Sequence, residues 1–229
     1  MPQPLYKVSP RAAFYISHTP SRDRLKCALL IADVISAGSY LEVWLGAVLA
    51  RILGTSAETG IAMYMSISNA AAQRAVITAA ATSLLKGEDL DLFMAMLQVA
   101  SKARGKRNTI AHAIWACSPD LPDSLLLIPP PVYLKSHSKA AAEELPLYQG
   151  GGIDFKDIYV YKESDLSEIV AQATRSINNL QSFDFYLHPD QTEPEHDRLR
   201  KTLCAEPDIQ RELLRIQRGR KSTPTPPTQ

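Results

Sequence analysis

A chain of 229 residues with 45% apolar residues has room for one domain with appendages and enough apolar side chains for a proper core. Three scattered cysteines (Cys27, Cys117 and Cys204) with no CxxC pair exclude a disulfide framework and a zinc ribbon, and favour a reducing, cytoplasmic setting. The net charge of +1 names no partner by itself, but it is unevenly spread: residues 198–229 carry +5 and the remainder −4. A weakly acidic body with a basic tail suits contact with a polyanion, or a tail that only keeps the protein soluble.

Residues 1–18 are punctuated by proline and read as an extended arm, with no apolar core of the kind a signal peptide needs. Thr19 and Pro20 look like an N-cap followed by proline at the first helical position, where its missing N–H costs nothing. A first long helix is expected from there to Leu53, with Gly54 as its stop. Asp33, Glu42 and Arg51 interrupt its apolar character and argue against a membrane span. Residues 54–66 read as a loop with Met63, Tyr64 and Met65 tucked inward. An alanine-rich second helix follows, from about Ser68 to Leu85.

A third helix should open at Glu88, with Asp89 and Asp91 at the positive end of its dipole, and stop before Pro119. At about 100° per residue its apolar stripe runs through Phe93, Met96, Leu97, Ala100, Ala111 and Ile114. Arg107 falls inside that stripe. Asn108 and His112, at i and i+4, lie along its edge. Burying an unpaired guanidinium costs on the order of several kcal/mol, so this face must look onto something polar. The competing reading is that Arg107 pairs with Asp33 or Glu42, or swings to the surface where Gly105 disturbs the register.

Between 117 and 163 six prolines and Gly150-Gly151-Gly152 break any continuous helix. Leu125 to Ile128 and Ile158 to Tyr161 have strand composition and are expected to pair as an antiparallel ribbon, with 135–152 as an exposed excursion. The triple glycine lacks the lysine and the strand-to-helix setting of a phosphate-binding loop, and reads as a flexible link. Ser164 and Asp165 cap a fourth long helix, whose stripe is Leu166, Ile169, Val170, Ala173, Ile177, Leu180 and Leu187. After it, the polar group around His188, Asp190, Glu193, Glu195, His196 and Asp197 reads as a linker and not a metal site. A short basic helix from Asp208 to Arg218 and a Thr/Pro tail close the chain.

The run Arg107-Asn108-Thr109-Ile110-Ala111-His112 resembles the R-x4-H motif of HEPN domains, with the polar residue directly after the arginine. These are small all-helical modules, usually dimeric, of prokaryotic toxin and defence systems and of some eukaryotic ribonucleases. The elements read together as an all-α, up-and-down bundle of about four long helices over 19–189, in keeping with the resemblance. The β-ribbon and loop insertion (117–163) between the third and fourth is not part of a minimal domain of that family. Outside the bundle lie an extended arm (1–18) and a basic, largely disordered tail (190–229). The resemblance further implies a homodimer that cleaves RNA without a metal or other cofactor. His112 would act as general acid and base, Arg107 would hold the phosphate, and Asn108 and Arg104 would add substrate contacts.

An antitoxin or other regulatory protein is an expected partner, and a membrane is not. One departure is clear. HEPN toxins paired with nucleotidyltransferase antitoxins carry a tyrosine two residues after the histidine, where this chain has Ile114. A non-catalytic helical module for dimerisation, or for binding a nucleotide or partner, would use the same residues. Trp115 is expected to pack rather than stack on a base.

Overall fold

Residues 1–142 and 153–222 are described by a computed structural model, in which helix dominates and strand is minor. The elements in chain order are β1 (Gln3–Pro4), α1 (Leu5–Val8), β2 (Tyr15–Ile16), α2 (Pro20–Asp23), α3 (Leu25–Leu53), α4 (Ala57–Ser66), α5 (Ala70–Leu84) and α6 (Gly87–Ala111). They continue with β3 (Ile114–Cys117), β4 (Ser124–Ile128), α7 (Pro130–Ala142), β5 (Tyr159–Lys162), α8 (Glu163–Tyr186), α9 (Glu193–Ala205) and α10 (Pro207–Ser222). The triple glycine and the Thr/Pro tail from 223 lie outside the described residues. Two compact units share the chain: Met1–Ala37 with Gly105–Gln172, and Gly38–Arg104 with the chain from Ala173 onward.

The first unit is built on an antiparallel sheet in the order β1-β5-β4-β3-β2. The expected ribbon is its centre, with Leu126 opposite Val160. All five residues of β4 are buried. That unbroken apolar run follows from both faces being covered. Leu125 and Leu127 face one cluster with Cys27, Val34, Ile110, Leu166 and Ile169, while Leu126 and Ile128 face another with Leu5, Ala12 and Ile158. The sheet is wider than the sequence indicates because the arm supplies both edges. Gln3 pairs with Val160 and Tyr15 with Cys117. The excursion expected from 135 is helical as far as Ala142, and Pro130 and Pro131 occupy the first turn of α7, where no N–H is needed.

The second unit packs the later part of α3 with α4, α5, most of α6, the end of α8, α9 and α10 around one core. Leu41, Leu45, Val48 and Leu49, spaced by three or four, are each at most 1% exposed, and each such burial stabilises by about 1.5–3 kcal/mol. Phe93 stacks on Phe183 at 5.5 Å, and Phe183 on Tyr186 at 5.6 Å. Among the described residues, α3 is long and apolar enough to cross a membrane by length and composition. Its Cys27 and Val34 join the first unit's core, and its Leu41, Leu45, Val48, Leu49 and Ile52 the second unit's.

Several boundaries differ from expectation for local reasons. Arg24 breaks the first helix, so Pro20–Asp23 stands alone and α3 begins at Leu25. Gly54 ends α3 with a φ of +65°, in the left-handed region that favours glycine. Instead of a loop, α4 follows, because the Ser56 side chain accepts the Thr59 N–H and caps it. Tyr64 is fully buried, but Met63 and Met65 are about half exposed. From 193 to 222 the tail expected to be largely disordered is helical: α9 occupies the stretch read as a linker, and α10 extends the short basic helix expected from Asp208 to Arg218. A reciprocal capping box between Thr192 and Glu195 starts α9.

Candidate functional site

The inner stripe of α6 runs through Phe93, Met96, Ala100, Ala103 and Ile110, all buried. Arg107 stands four residues after Ala103 and three before Ile110, so the helix carries it onto the buried stripe, and it is half-buried. Its Nη1 donates to the Asn108 Oδ1 at 3.1 Å. Its Nε is shut off from solvent without an acceptor. Among the described residues no carboxylate pairs with it. Arg24 also has a buried Nε without an acceptor, but its two amino groups reach the carbonyls of Asp23 (2.8 Å) and Ser118 (3.1 Å). Arg107 has no such backbone anchor among the described residues.

Asn108, on the last turn of α6, and His112, just past its end, are both exposed, and the His112 backbone N–H donates to the Asn108 carbonyl at 3.1 Å. Thr109 Oγ1 donates to the Gly105 carbonyl at 3.1 Å, so the helix continues through the glycine. It stops at Ala111, short of the expected end before Pro119. Ile114 and Trp115 therefore belong to β3, and Ala111 is exposed and not part of the inner stripe. Trp115 packs edge-to-face on Tyr161 with centroids 5.9 Å apart, so it belongs to the sheet's core. The His112 ring makes no hydrogen bond among the described residues.

Arg104 has a different fate, in the second unit. Its Nη1 donates to the Tyr64 hydroxyl at 3.1 Å, and its Nη2 to the Gln73 Oε1 at 2.6 Å and the Glu42 Oε1 at 3.2 Å. Its guanidinium is consumed by an internal network, which corrects the expectation that it contacts substrate. Glu42, one of the two acids considered for Arg107, is thereby taken. Asp33, the other, is exposed. Burial pushes the Tyr64 phenol above its usual range, with the Arg104 charge opposing.

Three of the other four histidines make local contacts. His137 lies 6.0 Å from the Tyr133 ring, and His196 stacks on Tyr186 at 4.0 Å. His188 Nδ1 accepts the Asp190 N–H at 3.3 Å. Among the described residues no group of three or more His, Cys, Asp or Glu side chains is placed to hold a metal ion. Sequence reasoning missed the bidentate ion pair of Arg51 with Asp184, at 3.1 and 3.3 Å, which lines a cleft in the second unit. No local signal joins residues so far apart in the chain. Comparison with family models, with curated proteins and with solved structures gives no match.

Proposed function

We propose that the chain is a HEPN-type, metal-independent endoribonuclease of a toxin or defence system, cytoplasmic and active as a homodimer. One observation carries this reading: an arginine on the buried stripe of α6 has no carboxylate partner among the described residues, and an exposed imidazole lies five residues later. The four-helix, up-and-down arrangement of that family belongs to the same reading.

The chemistry follows from the two side chains. A neutral His112 imidazole takes the proton of a ribose 2′-OH, and the 2′-oxygen attacks the adjacent phosphorus. The bond from phosphorus to the 5′-oxygen breaks, and a protonated imidazole supplies that oxygen with its proton. The products are a 2′,3′-cyclic phosphate and a 5′-hydroxyl. Arg107 offers charge-assisted hydrogen bonds to the phosphoryl oxygens as negative charge builds on them. Asn108, whose side-chain Oδ1 accepts from Arg107, holds the guanidinium. One imidazole cannot be acid and base at the same instant, so a second copy provides the other.

The test is incubation of purified protein with a defined RNA in excess chelator, followed by analysis of the new ends. Cyclic phosphate ends are expected, and a substrate with a 2′-deoxyribose before the scissile bond should resist. Cleavage of that deoxy substrate, or loss of activity with chelator, would overturn the proposal. An inert but folded protein that still binds RNA or nucleotide would favour the non-catalytic module.

A further inference from the structure

Within the second unit, α3 and α4 cross so closely that a Cβ at Gly60 would sit 2.3 Å from the Ala50 Cβ. Beside this crossing lies a cleft of about 400 Å³. That volume falls in the range of about 300–1,000 Å³ usual for small-ligand sites. Its walls are mostly apolar, with Trp44, Ala47, Ala50 and Ile61 among them, and Trp44 is half-buried with part of its ring against the core.

The polar part is the Arg51–Asp184 pair, with Thr55 and Ser56 at the turn between α3 and α4. Asp184 accepts from Nε and Nη2, which leaves the Arg51 Nη1 with no acceptor among the described residues. Each carboxylate oxygen keeps a further lone pair. The cleft thus presents donors and acceptors side by side, next to an indole and small apolar side chains.

A group that carries its charge inside the cleft fits poorly, because an anion there meets Asp184 and a cation meets Arg51, whereas a phosphate left outside meets neither objection. A fatty chain leaves the pair unused. What suits both is a flat ring with a donor and an acceptor adjacent on one edge: the acceptor toward Arg51, the donor toward Asp184, and the ring against Trp44. We propose that this cleft binds a nucleobase, carried either by a free nucleotide or by an unpaired position in an RNA strand. Aromatic side chains are the usual platform for such bases, and guanine, with one acceptor beside two donors, uses the pair most fully. The site stands apart from the ribonuclease reading and does not depend on it.

Trp44 is one of two tryptophans in the chain, so the titration is read in a Trp115→Phe background, where intrinsic fluorescence reports on the cleft. The experiment titrates the full-length protein with GMP, AMP, CMP and UMP, and with a pentaribonucleotide. Two variants fill the cleft from opposite walls, Ala47→Leu and Ala57→Leu, and urea midpoints confirm which of them folds. A saturable change with a Kd below about 1 mM, weakened at least tenfold in a folded filling variant, is the expected result. Tighter binding of the pentaribonucleotide assigns the base to an RNA strand, and equal or tighter binding of a mononucleotide assigns it to a free nucleotide. No saturable change with any of these probes, or binding weakened less than tenfold by the fillers, overturns the proposal.

Discussion

Arg104 and Arg107 are three residues apart on one helix and have opposite energetic roles. The Arg104 guanidinium makes three hydrogen bonds, one of them charge-paired with Glu42. Removing it leaves the buried Tyr64 hydroxyl and Gln73 side chain short of a partner. Arg104→Ala is therefore expected to cost about 2–3 kcal/mol, read as a lowered urea midpoint. Arg107→Ala removes a group whose Nε has no acceptor, and should leave the midpoint within about 0.5 kcal/mol of the parent. Equal losses in the two variants would contradict this assignment. The sequence carried Arg107 to the inner stripe by periodicity, but could not tell which arginine Glu42 would take, because that acid is 62 positions from Arg104.

At the scale of elements, the crossing of α3 and α4 is the tightest contact of the second unit's helices that a glycine makes possible. Besides Gly60, Gly46 faces the Ile61 Cα at 2.9 Å from where a Cβ would stand. Gly60→Ala should overpack this crossing and destabilise by about 1–3 kcal/mol, measured by chemical denaturation. A neutral result would mean that the helices separate without cost.

The Asn69 side chain caps α5 by accepting the N–H groups of Ala71 and Ala72. Asn69→Ala is expected to lose about 1 kcal/mol in the same measurement. Elements of strong periodicity or unbroken apolar composition, such as α8 and β4, were legible in the sequence. Those begun by a short capping signal, α4 at Ser56 and α9 at Thr192, were hidden among polar residues that also suit a loop. The two-residue strands β1 and β2 leave no pattern at all, since pairing with β5 and β3 defines them. The end of α6 was misread because Ala111 and Ile114 keep the helical spacing while the backbone has turned into β3.

For the molecule as a whole, the C-terminal helices are part of the second unit's core and not an appended tail. Leu203 and Ile209 are buried, and the buried Glu212 accepts from Lys102 of α6 at 2.5 Å and from Arg215 at 3.2 Å. Burial alone would raise the Glu212 carboxyl. The hydrogen bond and charge of Lys102, with Arg215, outweigh it and leave the group below the usual glutamate range. A depressed native pKa stabilises the fold above the unfolded value of about 4.3, and that stability is lost as pH falls through the native value. Glu212→Gln should destabilise at neutral pH by about 1–2 kcal/mol and make the acid limb of the stability profile shallower. An unchanged acid limb would show that Glu212 is not the group responsible.

The ribonuclease reading depends on Arg107 being free for a phosphodiester. The most direct measurement is single-turnover RNA cleavage in chelator by the parent protein, Arg107→Ala and Arg107→Lys, with urea midpoints taken alongside. The account predicts a fall of at least about 100-fold in Arg107→Ala, partial recovery in Arg107→Lys, and matching midpoints for all three proteins. Cleavage by a folded Arg107→Ala protein at the parent rate would contradict it.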